Sequence, residues 1–188
     1  MKVNGNTIKP GNVIEHKKGL WVAVKTSHVK PGKGGAFAQI ELRNLKDGTK
    51  LNERFRSSEN IERVILEEVS HVFLYKENNN LIFMNNNNFD QINIDQNMIG
   101  EQSSFLQDGM NVIINIYNEE PVSVNMPDSC IVEVVEADAV IKGQTVSSSF
   151  KPAILNNGVK VMVPGHIEVG AKIVVRPSDS TYIEKAKI

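Results

Sequence analysis

One stretch of the sequence has the residue types to act chemically at a partner's surface, the segment Val-Lys-Pro-Gly-Lys-Gly-Gly at residues 29–35. It contains no acid, and Lys33 stands between Gly32 and Gly34 with no neighbouring side chain to shield it. Glycine and proline at this density are typical of a turn whose backbone can approach another surface closely. A lysine at its tip would present a compact charge with three hydrogen-bond donors. Two interpretations stay open from these residues alone: a loop that touches RNA, and an ordinary hairpin loop with solvated lysines.

The other candidate motifs do not indicate catalysis. The stretch Gly-Lys-Gly-Gly lacks the Ser or Thr that follows the lysine of a phosphate-binding P-loop, and the residues after it alternate like a strand. The four histidines lack metal-ligand spacing, and no nucleophile comes with an identifiable base. Cys130 sits between apolar neighbours and is interpreted as a small core residue. We therefore expect no catalytic residue, no metal, no cofactor and no enzymatic activity.

Charge is strongly segregated along the chain, although the formal net charge is only −1. Residues 1–63 hold 13 Lys and Arg against 6 Asp and Glu, a net charge of +7. Residues 64–127 hold one cation and 9 acids, a net charge of −8, and residues 128–188 hold 7 of each sign. The first segment should attract a polyanion such as RNA, whereas the second should be repelled by bulk phosphate.

Hydrophobic alternation with a period of two predicts strands in most of the chain. In residues 49–56 it places Lys50, Arg54 and Arg56 on one face of a strand, with Leu and Phe side chains on the other. The other predicted elements are one short helix at 95–106 and strands at 8–15, 20–27, 36–45, 69–75, 81–84, 112–117, 122–125, 130–136, 153–155, 159–163 and 172–175.

These elements predict an all-β protein of three domains, at residues 1–63, 64–127 and 128–188. Five or so short strands in about sixty residues fit a small barrel, of which the oligonucleotide-binding (OB) barrel is the commonest form. No apolar run approaches the ~20 residues of a membrane helix, and the N-terminal residues show no signal peptide. With a single cysteine, the sequence fits a reducing compartment, so we expect a cytoplasmic protein without a membrane partner.

Beyond these patterns, residues 29–37, VKPGKGGAF, resemble the bacterial translation elongation factor P family. The similarity continues in order along the chain, with Phe-Arg-Ser-Ser at 55–58, the stretch at 83–91, Pro-Val-Ser-Val at 121–124 and Lys-Pro-Ala at 151–153. Apart from Pro-Gly-Lys-Gly, each piece is weakly specific, but their joint order is highly specific.

The resemblance implies an N-terminal SH3-like (KOW-type) barrel followed by two OB-fold barrels, in an elongated tRNA-like shape. It implies a factor that binds the ribosome next to peptidyl-tRNA and promotes peptide-bond formation at consecutive prolines. Lys33 would be extended by a β-lysyl group that separate lysine-modifying enzymes add, and we expect the factor to be a monomer. The loop residues that would meet the CCA end of the tRNA are Lys30, Pro31, Gly32, Lys33, Gly34 and Gly35.

Four further cations are expected to contact the RNA backbone on strand alternation alone: Arg43, Lys50, Arg54 and Arg56. In the third domain, Gly143, Gln144 and Thr145 stand where the family has a Gly-Asp-Thr loop associated with contact near the exit-site codon, and Gln144 departs from that pattern. A general RNA-binding module and a member of the family with a distinct target stay open as alternatives. The former would favour aromatic stacking platforms, and aromatic residues make up only 6% of the chain.

Overall fold

The computed structural model describes residues 1–32, 34–138 and 150–187, and within them the protein consists of sixteen strands in three sheets, with little helix. The prediction of an all-β chain is confirmed. By compactness the chain divides into two units, Met1–Val69 with Ile114–Val124 and Ser70–Ile113 with Asn125–Ile188. The boundaries that the sequence indicated, near residues 63 and 127, stay predictions.

The N-terminal sheet has six strands in the order β1–β6–β2–β3–β4–β5. Their bounds are β1 (Lys2–Asn4), β2 (Val13–His16), β3 (Gly19–Val29), β4 (Phe37–Asn44), β5 (Lys50–Arg56) and β6 (Asn60–Val64). A core forms on one side of the sheet because every second residue of its central strands is apolar. Its buried members are Ile8, Ile14, Trp21, Ala23, Ala38, Ile40, Leu42, Phe55 and Ile61.

A short 3₁₀ helix at Gly5–Thr7 packs against the end of β5. The amide N–H of Gly5 donates to the Glu59 carbonyl oxygen at 2.9 Å. A Cβ on Gly5 would lie 2.7 Å from the carbonyl oxygen of Arg56. Only glycine therefore permits this close backbone approach, which holds the 3₁₀ helix against the last residue of β5.

The second sheet has five strands in the order β11–β10–β7–β8–β9. Their bounds are β7 (Glu67–Glu77), β8 (Asn80–Asn85), β9 (Gln91–Asp95), β10 (Asn111–Tyr117) and β11 (Glu120–Asn125). The third sheet has the order β14–β13–β12–β15–β16, with β12 (Cys130–Ala137), β13 (Phe150–Leu155), β14 (Lys160–Pro164), β15 (Lys172–Arg176) and β16 (Thr181–Lys185).

Both five-stranded sheets have the same topology. Counted from its own first strand, each runs in the order three, two, one, four, five. In the third sheet β14 also contacts β16, so the sheet curls back on itself. This is the arrangement of a small five-stranded OB barrel.

The predicted helix at 95–106 is present but divided. Helix α1 spans Gln96–Ile99, and a 3₁₀ helix follows at Gly100–Phe105. The Asp95 carboxylate accepts a hydrogen bond from the Asn97 amide and caps the start of α1. Gly100, with φ of 71°, ends it, because that backbone conformation cannot continue a right-handed helix. The described residues contain no helix with the length and apolar character to cross a membrane.

Phe105 has an unexpected place in the fold. Its side chain is only 1% exposed and is buried in the core of the third sheet, among Cys130, Val132, Ile167 and Ile173. Just after it, the Gln107 side-chain amide donates to the Ile131 carbonyl oxygen at 2.7 Å. The segment that leads into β10 is therefore part of the core of the C-terminal barrel.

Replacing Phe105 with alanine should lower the free energy of unfolding by about 3–5 kcal/mol, because the ring leaves a cavity in that core. Urea unfolding followed by circular dichroism measures this loss. Phe89 is 69% exposed, so Phe89→Ala is a control with the same chemical change and should alter stability by no more than about 0.5 kcal/mol. Equal losses in the two variants would contradict the placement of Phe105.

Candidate nucleic-acid interface

The predicted RNA-contacting loop joins β3 to β4, whose pairing extends to Val29 opposite Phe37. Its described residues at 30–32 and 34–35 are all exposed, and Lys33 lies outside the described residues. Gly34 has a φ of +120°, in the region that favours glycine. A Cβ added at Gly32 or Gly35 would meet no atom within 4 Å, so the described part of the loop offers an unobstructed backbone.

The root of this loop is attached to the end of β5. The Ser57 amide, one residue beyond β5, donates to the Ala36 carbonyl oxygen at 3.0 Å. Phe37, the first residue of β4, lies directly opposite Arg56. The C-terminal end of the loop therefore lies beside the last cation of β5.

The four cations predicted to contact RNA lie on one exposed face of β4 and β5, which we call the outer face. Arg43 is directly opposite Lys50, and Arg54 and Arg56 follow on the same side of β5. Directly opposite residues of an antiparallel pair project to the same side of a sheet. Phe55, on the other side of β5, is 4% exposed. The predicted alternation of β5 is thus confirmed, while the contact of these side chains with RNA stays a prediction.

A fifth cation on the outer face, Lys25, was missed from the sequence. The register of β3 against β4 shifts between Ala23 and Lys25, so Ala23 lies opposite the buried Leu42 whereas Lys25 lies opposite Glu41 on the outer face. Strict alternation would have put Lys25 on the buried side with Ala23. A β-bulge inserts one extra residue, so the Lys25 side chain points to the opposite side of the sheet from the one that alternation predicts. No turn residue in the sequence indicates the bulge.

Within residues 1–32, 34–138 and 150–187, the side chains of these five cations form no ion pair and no hydrogen bond; Arg56 donates only through its backbone amide, to the Glu59 carboxylate. One of them, Arg54, has another kind of partner: its guanidinium carbon lies 3.2 Å from the centroid of the Phe37 ring. The outer face thus carries positive charge that the described part of the protein leaves almost uncompensated, with Glu41 as its single acid on β4. A surface of this kind attracts phosphate.

The single acid of β5 is engaged on the opposite side of the strand. Glu53 accepts a hydrogen bond from Lys17 and lies 3.6 Å from the His16 ring, at Nε2. The hydrogen bond from Lys17 lowers the pKa of the Glu53 carboxyl, and burial offsets part of that effect. Glu53 therefore neutralises a lysine of the β2–β3 turn and leaves the cations of the outer face unpaired.

The other candidate positions add little to the interface. Gly143, Gln144 and Thr145 lie outside the described residues. Cys130 is buried, and burial raises the pKa of its thiol, which fits the interpretation as a core residue. No cluster of three or more His, Cys, Asp or Glu in the described part of the chain has the arrangement to hold a metal ion.

Three family models match consecutive parts of the chain. They are described as "Elongation factor P (EF-P) KOW-like domain" for residues 4–61, "Elongation factor P (EF-P) OB domain" for 66–124, and "Elongation factor P, C-terminal" for 131–185. Together they span all three sheets in the order in which the structure builds them.

Similar whole proteins agree with these matches. Elongation factor P of Chelativorans sp. (strain BNC1) is 52% identical over 186 residues, which cover 99% of this chain and 100% of that protein. Elongation factor P of Bartonella tribocorum is also 52% identical, over 99% and 97% of the two chains. The solved structure titled eukaryotic translation initiation factor 5A from Methanococcus jannaschii shares the fold, with a TM-score of 0.54 at 20% identity over 66% of this chain and 93% of that one.

A KOW-like barrel followed by OB-type barrels, with an unpaired cationic face beside an exposed loop, defines a β-barrel translation factor. The chain belongs to the elongation factor P family. Membership of this family of translation factors confirms that the protein is not an enzyme, as the sequence predicted.

The effect of Lys17 on Glu53 predicts a pH dependence of stability. A carboxyl with a lowered folded pKa stabilises the fold above its unfolded pKa, near 4.5, and this contribution disappears as the pH falls through the folded value. Glu53→Gln should therefore lower the free energy of unfolding by up to about 1 kcal/mol at pH 7. Below pH 4.5 this variant should be destabilised by acid less than the unaltered protein. Urea unfolding from pH 7 to pH 3 measures both.

Glu15, an exposed acid of β2 with no ion-pair partner among the described residues, provides the control. Glu15→Gln should leave the acid limb of the stability curve unchanged. A Glu53→Gln curve parallel to that of the unaltered protein would show that the Lys17 contact does not stabilise the fold.

Proposed function

We propose that this elongation factor binds the ribosome next to peptidyl-tRNA and promotes peptide-bond formation at consecutive prolines, with Lys33 positioning the CCA end of the tRNA. The observation that carries the proposal is that one three-stranded ladder bears both the lysine-tipped loop and the unpaired cations of the outer face. In this arrangement the outer face attracts the RNA backbone and the loop extends toward the reacting end. As partners we propose the ribosome, peptidyl-tRNA and lysine-modifying enzymes, and we propose a cytoplasmic monomer.

The outer face supplies attraction without sequence selection. Lys and Arg contacts to phosphate orient a nucleic acid but carry no base information directly, and their contribution falls as salt rises. Arg43, Lys50, Arg54 and Arg56 are the proposed backbone contacts, and Lys25 joins them through the bulge in β3. A factor that must act on many different peptidyl-tRNAs needs contacts of this sequence-independent kind.

Positioning suits the chemistry of proline. The ring fixes φ and restricts the preceding residue, so a nascent chain that ends in prolines has few productive placements. Holding reacting groups in a productive geometry is worth as much as ~7–11 kcal/mol in the most favourable cases. A factor that orders the tRNA end can therefore speed the reaction while taking no chemical part in it.

The sequence around Lys33 also suits modification. Glycines flank it on both sides, and the described loop residues are exposed, so a modifying enzyme would meet little obstruction. An added β-lysyl group would lengthen the reach of the loop and add a second amine. In the third domain, the proposed contact near the exit-site codon falls to Gly143, Gln144 and Thr145.

Lys33→Ala should abolish relief of stalling on a polyproline template, because it removes the group that meets the CCA end, while leaving the unfolding transition unchanged. A reconstituted translation assay with a polyproline template and a proline-free template measures this. Lys9→Ala, at an exposed lysine of the same sheet domain outside β3, β4 and β5, is the control and should keep full activity. Full activity of Lys33→Ala would contradict the proposed mechanism.

The proposed modification has a separate test. In protein isolated from the native host, the proteolytic peptide that contains Lys33 should be heavier than its sequence mass by one lysine residue. The peptide that contains Lys9 serves as the internal reference and should have its sequence mass. An unmodified Lys33 peptide in most molecules would reject modification and leave the positioning role to the bare lysine.

A further inference from the structure

We infer that Phe37 is a positioning residue, whose ring holds the Arg54 guanidinium in one orientation at the root of the loop so that Arg54 grips a phosphate of the bound tRNA with two parallel hydrogen bonds. This inference rests on the proposed function, since it assigns a specific task to one cation of the outer face. It also gives a role to an aromatic residue that charge and strand alternation alone do not single out.

The geometry of the ladder shows that the contact is selective. The register puts Arg56, not Arg54, directly opposite Phe37, and Arg54 lies opposite Gln39. The Arg54 side chain nevertheless reaches diagonally along the sheet to the Phe37 ring, at 3.2 Å from its centroid. It thus leans toward the loop, because the negative face of an aromatic ring attracts a guanidinium.

The short separation also fixes the orientation of the guanidinium plane. At 3.2 Å an edge-on guanidinium would drive its nitrogens into the ring, so the two planes must stack. A stacked guanidinium has one face covered and keeps its N–H groups in the plane, directed sideways. Among the residues that the structure describes, no acceptor takes a hydrogen bond from them. Such a free planar fork matches the oxygens of a phosphate group, which a lysine ammonium cannot do.

The position of the pair relates it to the loop. Phe37 is the first residue of β4, next to Ala36, whose carbonyl oxygen is bonded to the Ser57 amide beyond the end of β5. Arg54 and Arg56 are therefore the outer-face cations at the loop end of the ladder, whereas Arg43 and Lys50 lie at the other end of β4 and β5. A phosphate held by Arg54 would sit close to where the loop leaves the sheet.

Because Phe37 holds the Arg54 side chain in place before the tRNA binds, it should raise the affinity for the tRNA. An arginine that is free in the unbound protein loses rotamer freedom when it binds, and stacking on Phe37 removes most of that loss beforehand. The stacking should lower the dissociation constant roughly two- to tenfold. This gain in affinity should disappear if either the ring or the planar guanidinium is lost.

A double-mutant cycle on the full-length protein tests this. The measured quantity is the dissociation constant for ribosomes carrying a peptidyl-tRNA analogue in the peptidyl site, at several KCl concentrations. Phe37→Leu should weaken binding roughly two- to tenfold with an unchanged salt dependence, because no charge is lost. Arg54→Gln should weaken binding and reduce the slope of log affinity against log salt by about 0.7–0.9.

The coupling between the two residues is the decisive readout. The double variant should bind no more weakly than Arg54→Gln alone, since the ring acts only through Arg54. Additive losses would overturn the inference, because they would mean that Phe37 contributes independently of Arg54. Arg54→Lys keeps the charge and the ring, so it should preserve the salt slope and lose affinity to about the same extent as Phe37→Leu; full affinity of Arg54→Lys would also overturn it.

Two controls separate this inference from the proposed function. Lys50→Gln should lower the salt slope by the same amount as Arg54→Gln. Adding Phe37→Leu to Lys50→Gln should weaken binding by the full two- to tenfold, because Arg54 is still present. If Lys50→Gln and Arg54→Gln both leave affinity and slope unchanged, the outer face does not bind RNA, and both the RNA contacts proposed for that face and the inference are wrong. Should Phe37→Leu fail to fold, as its unfolding transition would show, Arg54→Lys decides the question alone.

Discussion

The position of every cation in the candidate interface depends on the register of the antiparallel ladder formed by β3, β4 and β5. Ile40, Leu42 and Phe55 point to its inner side and are almost fully buried. Burying each such side chain is worth about 1.5–3 kcal/mol, whereas a surface charge pair contributes at most about 1 kcal/mol. A slip of one residue would exchange the two faces, so the apolar residues, and not the charges, decide which side the arginines and lysines occupy.

The same ladder explains why the outer face remains positively charged. Glu53, the one acid of β5, points to the inner side and accepts a hydrogen bond from Lys17. The cations of the outer face are left with Glu41, the one acid of β4, as a nearby negative charge. The loop is joined to this face through Phe37 and through the bond between Ala36 and Ser57. Attraction for a polyanion and a loop that extends from the same edge are therefore consequences of one folding pattern.

Much of this arrangement could be predicted from the sequence, wherever period-two alternation was regular. Residues 36–45 and 49–56 correspond closely to β4 and β5, and the exposed face of β5 was assigned correctly. The strand predicted at 8–15 was wrong in its first half, because the chain turns at Pro10 and Gly11, the latter with φ of 87°, and β2 begins only at Val13.

What the sequence did not reveal depends on contacts that no local pattern encodes. Four strands were not predicted, β1, β6, β9 and β16, since they are short and rich in polar residues and owe their conformation to neighbouring strands. The direction of Lys25 depends on a bulge, and the stacking of Arg54 on Phe37 depends on a register fixed by the core. Phe105 lies in a short local helix, as the sequence predicted, but no local pattern indicated that its ring packs in the core of the C-terminal barrel.

In the proposed mechanism, the loop between β3 and β4 reaches the end of the peptidyl-tRNA while the outer face follows its backbone. Electron cryomicroscopy of the factor on a ribosome stalled at consecutive prolines would show both contacts in one experiment. We expect density for Lys33 within hydrogen-bond distance of the CCA end, and phosphates alongside β4 and β5. A complex in which the loop points away from the peptidyl-transferase centre, or in which the outer face is turned to solvent, would contradict it.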